Sequence, residues 1–305
     1  MIEHYPRIRT LVKNGYALIS DGLTLDFYMK RTHHESASDA LRALEVYSSA
    51  VGTKTLDLHT DEEGFWQNLE DSGVDYVQRE LLAGRHLILH LSNSDESKGN
   101  YRFEYHGKSA AGLAMYPQPD ATSAVSFWLP TEHLEERGPD QVRELALKIA
   151  STLPFCSGYV GLALHCDTGV AGVLREVRKL CFRYPGMDIP DVHSLSWHLG
   201  THLRGPAWLT FLGQPLLGEL GGVEGLRARL HSSETTVQEL SQERAVITLG
   251  AWPEAGDTEQ GQLLPAYREL ARVTEPWLYH RRPLQDASFP PEDWRRWERR
   301  FLDEA

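Results

Sequence analysis

The chain is 305 residues long, with 41% hydrophobic and 24% charged residues. That balance excludes a disordered tail or a fibrous repeat and supplies enough apolar material for a sizeable core. Lys and Arg total 31 against 43 Asp and Glu, a net charge of −12, so the chain should be repelled by nucleic acid and anionic lipid and should favour a cationic partner.

Taken in chain order, Leu23, Leu25, Phe27 and Met29 alternate with Thr24, Asp26 and Tyr28, which predicts a strand with one buried face. Ser38 is a candidate cap for a helix carrying Leu41, Leu44, Tyr47 and Val51, with Gly52 as its stop. His33 and His34, just before it, read as surface residues. A short strand through Leu56 and Leu58 leads to an acidic loop of Asp61, Glu62, Glu63 and Gly64, followed by Phe65 and Trp66. Residues 74–82 read as a second helix, stopped near Gly84. Residues 86–91 place Leu87, Leu89 and Leu91 on one face of a strand. Tyr101, Phe103 and Tyr105 do the same on the other arm of a hairpin. The link, 92–100, contains Asp95, Glu96, Lys98 and Gly99 and reads as a long exposed turn. Val125, Phe127 and Leu129 form a strand that Pro130 ends.

Gly138 and Pro139 open the clearest helix, with Val142, Leu145, Ala146 and Ile149 on one stripe. Residues 159–164 read as a buried strand. Val173, Val177, Leu180 and Cys181 mark another amphipathic helix, stopped by Pro185 and Gly186. In the second half, 207–212 is a strand, and Leu216, Leu217 and Leu220 start a helix that Gly221 and Gly222 interrupt. Residues 235–240 and 244–249 form a hairpin, and Pro265 opens a helix. Pro290 and Pro291 open a last one, with Trp294, Trp297 and Phe301 facing inward and a basic outer face. This mixture, with its hairpin-length links, predicts an α+β fold with a mixed, largely antiparallel sheet and packed amphipathic helices. A boundary falls in 185–206, giving halves 1–190 and 191–305 that one continuous domain would also accommodate.

The sequence carries few motifs of known chemistry. No GxxxxGK[ST], GxGxxG or GxSxG occurs in the sequence. Cys156, Cys166 and Cys181 are too few and too scattered for a disulfide framework and read as buried, reduced thiols. Cys156, Ser157 and Gly158 read as a turn into a strand rather than a nucleophile site. His86 and His90 share a strand face and, with His106 across the hairpin, offer a zinc-like set; the plainer reading is solvent-facing positions. Trp128, Trp197, Trp208, Trp252, Trp277, Trp294 and Trp297 sit in apolar patterns and read as core, whereas Trp66 follows an acidic loop and reads as an exposed anchor. The N-terminus shows no secretory pattern and no stretch is apolar enough to span a bilayer, so a cytoplasmic protein is expected.

Several longer segments are distinctive: FWLPTE at 127–132, LPFCSG at 153–158, CFRYPG at 181–186, LGT at 199–201, WLTFLG at 208–213, LGAWPEAGD at 249–257, EPWL at 275–278 and WERRFL at 297–302. Together they resemble the bacterial type VI secretion immunity family, whose named members neutralise nuclease effectors of the VRR type. Residues 125–302 carry the stronger match, and 20–110 match in layout. The resemblance implies a non-enzymatic inhibitor that binds a cognate toxin and covers its active site, without cofactor or metal. The shared segments are mostly Gly, Pro, Trp and Leu, which transfer a scaffold and no contact set. The charge independently suits a partner whose cleft grips DNA. The expected contacts are therefore the acidic loops, Asp61, Glu62, Glu63, Asp95 and Glu96, with Trp66 as anchor. Two rivals stand beside this reading: a metal-dependent hydrolase using His86, His90 and His106 with a nearby carboxylate, and a scaffold protein with another partner.

Overall fold

The alternation in residues 23–29 belongs to a longer strand, β2 (Ala17–Met29), which is buried on both faces rather than one. Thr24 and Asp26, expected on a solvated face, are fully buried, and the Thr24 hydroxyl donates to the Asp26 carboxylate at 2.7 Å. Hydrogen bonding makes polar groups tolerable at such positions. The computed structural model describes residues 4–303 apart from 14–15, 62, 70–72, 83–87, 95–98 and 281–286. Its fold is α+β, and the chain divides into two compact units, 24–158 with 191–201, and 1–23 with 159–190 and 202–305.

In the first of these units the strand order is β2, β7 (Ser123–Pro130), β6 (Arg102–His106), β5 (Ile88–Ser92), β3 (Leu58–Thr60), β4 (Trp66–Asn68). The pairings from β7 outwards are antiparallel. Tyr47, Phe103 and Phe127 interlock with ring centroids 5.0–5.2 Å apart. The helix α1 (His33–Val51) supplies Tyr47 and packs against α5 (Pro139–Thr152), which buries the expected stripe of Val142, Leu145, Ala146 and Ile149. At its N-terminus, α1 begins five residues before Ser38. Thr32 caps it, with the Glu35 carboxylate accepting from the Thr32 backbone N–H at 2.9 Å and from its hydroxyl at 2.7 Å. This is a capping box, which outcompetes a lone serine about a turn and a half later. His33 is buried as a result, 3.0 Å from the Tyr105 hydroxyl, and not on the surface. Gly52 ends the helix at φ 108°, as expected. The helix α2 (Gly73–Leu82) matches the reading of 74–82; its stop at Gly84 lies outside the described residues. Three helices had no expectation: α3 (Ala110–Met115), α4 (Thr131–Arg137) and α7 (Val192–His198).

In the second unit the order is β10 (Thr235–Ser241), β11 (Arg244–Leu249), β9 (Leu209–Leu212), β8 (Ser157–Cys166), β2, with β1 (Arg9–Leu11) antiparallel on β2. The β10–β11 hairpin is antiparallel, as read from the sequence, and β11 pairs antiparallel with β9 on its other side. The helices α6 (Val173–Arg183), α8 (Leu216–Glu219), α9 (Gly222–Arg227), α10 (Pro265–Thr274) and α11 (Pro291–Glu298) fall where their stripes and breakers predict. Leu212, Leu216, Leu226, Ile247, Leu270 and Phe301 meet in one core.

After α11 the basic run departs from expectation. Arg295 and Arg296 are exposed, but Arg300 turns inward. Its guanidinium lies 4.1 Å from the Trp297 ring, and Arg204 also lies over that ring at 4.8 Å. Arg204 pairs with Asp188 at 3.3 Å and Glu298 at 3.6 Å, while Arg300 donates to the Pro185 carbonyl at 2.7 Å. A buried cation persists only with partners of this kind. Burial still pulls the Arg300 pKa down to about 10.

Of the tryptophans expected in the core, Trp128, Trp208, Trp294 and Trp297 are buried, whereas Trp197, Trp252 and Trp277 are half-buried. The half-buried ones use their polar or flat faces: Trp277 donates to Glu219 at 2.5 Å and Trp252 stacks on His4. Cys156 and Cys181 are buried free thiols and Cys166 is partly exposed. Among the described residues, no helix is long and apolar enough to cross a membrane.

Candidate functional site

The acidic loop at 61–64 joins β3 to β4 and is built by Asp61. One oxygen of its carboxylate accepts from the backbone N–H of Glu63 at 3.0 Å and Phe65 at 2.9 Å. The other accepts from the Gln67 amide at 2.8 Å. Gly64 follows at φ 88°, a conformation that disfavours any other side chain. The Gln67 amide first, then the Phe65 N–H, hold the Asp61 carboxyl below its ordinary range, so its negative charge is built into the turn.

That turn lifts its apolar neighbours into solvent. Phe65 is 63% exposed and Trp66 45% exposed, and every residue of β4 is exposed. In the strand order, β4 is terminal. A terminal strand carrying exposed aromatics is a ready template for another protein surface. Behind it, β3 is held by His59 against Tyr76 of α2, ring centroids 4.6 Å apart.

Ser94, the last described residue before the second acidic stretch, is held at the opposite end of β3. Leu58 pairs with Ser92, and Ser94 donates to the Asp57 carboxylate through its backbone N–H and its hydroxyl, both at 2.6 Å. Asp57 and Asp61 are therefore separated by the length of β3, about 13 Å at strand rise. Of the expected contact residues, Asp61, Glu63 and Trp66 share one turn, with Glu63 exposed. Glu62, Asp95 and Glu96 lie outside the described residues. The exposure of Phe65 adds an aromatic that the sequence reading did not single out.

A different cluster forms on the β5–β6 hairpin. His90 pairs with Glu104 and Ile88 with His106, so His90, Glu104 and His106 project from one face. One ligand atom from each lies within 4.8 Å of the others, and His106 Nε2 is 3.6 Å from Glu104 Oε2. The solvent-facing reading does not hold: His106 is 2% exposed and His90 is half-buried, while His86 lies outside the described residues. The cause is α7, capped by Asp191, which packs on β6 and β7 and brings His193 to 5.3 Å from His106. Burial holds the imidazoles of His90 and His193 below their ordinary value. Burial alone would raise the Glu104 carboxyl, but its contact with His106 and the charges of His90, His106 and Arg102 outweigh that and lower it.

Beside this cluster lies a cavity of about 490 Å³, lined by His106, Lys108, Leu113, Tyr116, His193 and Trp197 among others. Lys108 donates to Ser196 at 2.7 Å and lies 4.0 Å from the Trp197 ring; burial pulls its pKa down to about 8. Elsewhere, the Cys156 thiol donates to the Tyr28 carbonyl at 3.1 Å and burial pushes its pKa up, which suits a packed thiol and not a nucleophile.

The segments singled out in the sequence meet one another in pairs. Arg183 of CFRYPG forms a forked ion pair with Asp257 of LGAWPEAGD at 2.9–3.3 Å, and Gly186 donates to the Ala255 carbonyl at 2.7 Å. Trp208 of WLTFLG donates to the Gly250 carbonyl at 3.2 Å. These residues build the scaffold rather than a surface.

Comparison with known proteins agrees with the origin of those segments. The chain is similar to the Pseudomonas aeruginosa T6SS protein PA0821, with a TM-score of 0.81 at 21% identity over 99% of this chain and 88% of that one, which is a likeness of fold. No curated protein matches in sequence. A family model, TsiV, described as type VI immunity for VRR-NUC, matches residues 40–301. With that span covering most of its length, the chain belongs to the TsiV family of type VI immunity proteins.

Proposed function

We propose that this protein is a non-enzymatic inhibitor that binds a cognate type VI-secreted VRR-NUC effector and occludes its active site. Membership of the immunity family over residues 40–301 carries the reading. The net charge of −12 supports it, because a nuclease cleft that grips DNA is cationic and an acidic protein is steered into it. Occlusion itself needs no cofactor, and the protein touches no nucleic acid itself. It acts in the cytoplasm, where a nuclease meets DNA.

In this reading the contact surface is the acidic edge: Asp61, Glu62 and Glu63 at the β3–β4 turn, Asp95 and Glu96 on the hairpin link, and Trp66 as anchor. The exposed pair Phe65 and Trp66, beside the carboxylates of Asp61 and Glu63, supports an apolar centre in which an aromatic carries most of the affinity. Trp66→Ala weakens binding by about 2 kcal/mol, or roughly thirtyfold, and leaves the melting temperature unchanged. An equal affinity for Trp66→Ala and the unaltered protein removes the turn from the interface.

The deciding experiment is a calorimetric titration into the inactivated nuclease domain of the cognate effector at two salt concentrations, with DNA cleavage by the active domain followed in parallel. The expected result is tight 1:1 binding that weakens with salt and abolishes cleavage. Tight binding without loss of cleavage overturns occlusion, and absence of binding overturns the inhibitor reading.

A further inference from the structure

His106 is the least comfortable side chain of the histidine cluster. It is 2% exposed, and neither ring nitrogen has a hydrogen-bond partner; the Nε2 of His90 is likewise buried without one. Buried imidazole nitrogens are normally paired. Here three of them lie with the carboxylate of Glu104, within 4.8 Å for one donor atom from each residue. The separation of 3.6 Å between Glu104 Oε2 and His106 Nε2 is already close to the roughly 3.4 Å that two ligands adopt around a tetrahedral ion with bonds of about 2.1 Å. The widest separation among the three donor atoms is at most 4.8 Å, so closing the triangle to that spacing asks for a movement of no more than about 1.4 Å.

We propose that His90, Glu104 and His106 bind one transition-metal ion, of which Zn²⁺ suits the donors best. Two imidazoles and one carboxylate favour a borderline ion over Mg²⁺ or Ca²⁺, which prefer all-oxygen shells. The strand register is the reason these residues converge: Glu104 and His106 are two apart on one strand, and His90 lies directly across from Glu104. His106 also lines the cavity of about 490 Å³, so an ion reaches the triad from that side, and the fourth position is left to water or to a group entering the cavity. The site stands on its own geometry and does not depend on the inhibitor reading.

The test uses the untagged full-length protein, stripped with a chelator and titrated with Zn²⁺, with Co²⁺ absorption as an independent view of the coordination shell. The expected result is one ion per chain, a Co²⁺ spectrum of a low-coordinate nitrogen and oxygen shell, and a melting temperature that rises with Zn²⁺. His90→Ala and Glu104→Gln weaken binding by more than about 100-fold, beyond what loss of an outer-shell partner does. His59→Ala, on β3 and outside the triad, binds as the unaltered protein does. Because His106→Ala can disturb folding, the deciding variant is His90→Ala, at a half-buried position, with circular dichroism to establish that it folds. Absence of saturable Zn²⁺ binding, or the same affinity in a folded His90→Ala, overturns the site.

Discussion

At the scale of single residues, a side chain's charge and its structural role are often one thing. Asp61 shows this: its carboxylate makes three hydrogen bonds that shape the turn, so removing it changes geometry as well as charge. Glu63 is exposed and offers the cleaner probe. Glu63→Lys slows effector association severalfold with stability unchanged, whereas Asp61→Ala also lowers stability, measurable by a lower urea midpoint. His133 provides a pH-dependent case. It is buried on α4 with the Tyr101 hydroxyl 3.4 Å away, and burial pulls its pKa from 6.5 down to about 4. Between these values the unfolded chain holds the extra proton, so stability falls as pH drops from 6.5 and levels off below 4. The loss from this group is about 3 kcal/mol over that window. His133→Gln flattens the urea midpoint against pH in that range; a curve of unchanged slope would falsify the assignment.

At the scale of elements, caps and close approaches set boundaries that periodicity does not. The Thr32–Glu35 box starts α1 a turn and a half before Ser38, which places His33 under Tyr105. Thr32→Ala costs about 1 kcal/mol in unfolding free energy. The family segments act in pairs at this scale. A side chain added at Gly186 would meet the Glu254 carbonyl at 2.0 Å and that of Ala255 at 2.8 Å. Both are backbone atoms, so neither can swing away. Gly186→Ala therefore destabilises by at least about 3 kcal/mol and lowers the yield of soluble protein. A melting temperature matching the unaltered protein would mean that the two segments do not touch.

At the scale of the whole molecule, the net charge of −12 acts over the distance of a Debye length rather than through any one contact. Association with the effector accelerates as salt is lowered, by roughly tenfold or more between 0.15 M and 0.01 M, and the dissociation rate changes much less. Stopped-flow rates at several ionic strengths check this. An association rate indifferent to salt removes charge steering from the proposed mechanism.

Periodicity and breakers determined most of the fold from the sequence alone. The stripe in α5, the β10–β11 hairpin, the Gly221–Gly222 interruption and the inward Trp294 and Trp297 are local patterns, and local patterns do not need the rest of the chain. The exposure of Trp66 was legible too, because an acidic turn beside an aromatic has nowhere apolar to put it. What the sequence could not settle was everything that depends on a second element arriving. Asp26 is buried because the faces of β2 are both covered, and Arg300 turns inward because Asp188 and the Pro185 carbonyl wait there. The three-residue register of His90, Glu104 and His106 can be written down from a hairpin, but α7 is what turns that face from solvent into interior. Residues 192–198 carry a weak stripe and one capping aspartate, too little signal to announce a helix. Burial is a property of pairs of elements, and only the tertiary structure brings the pairs together.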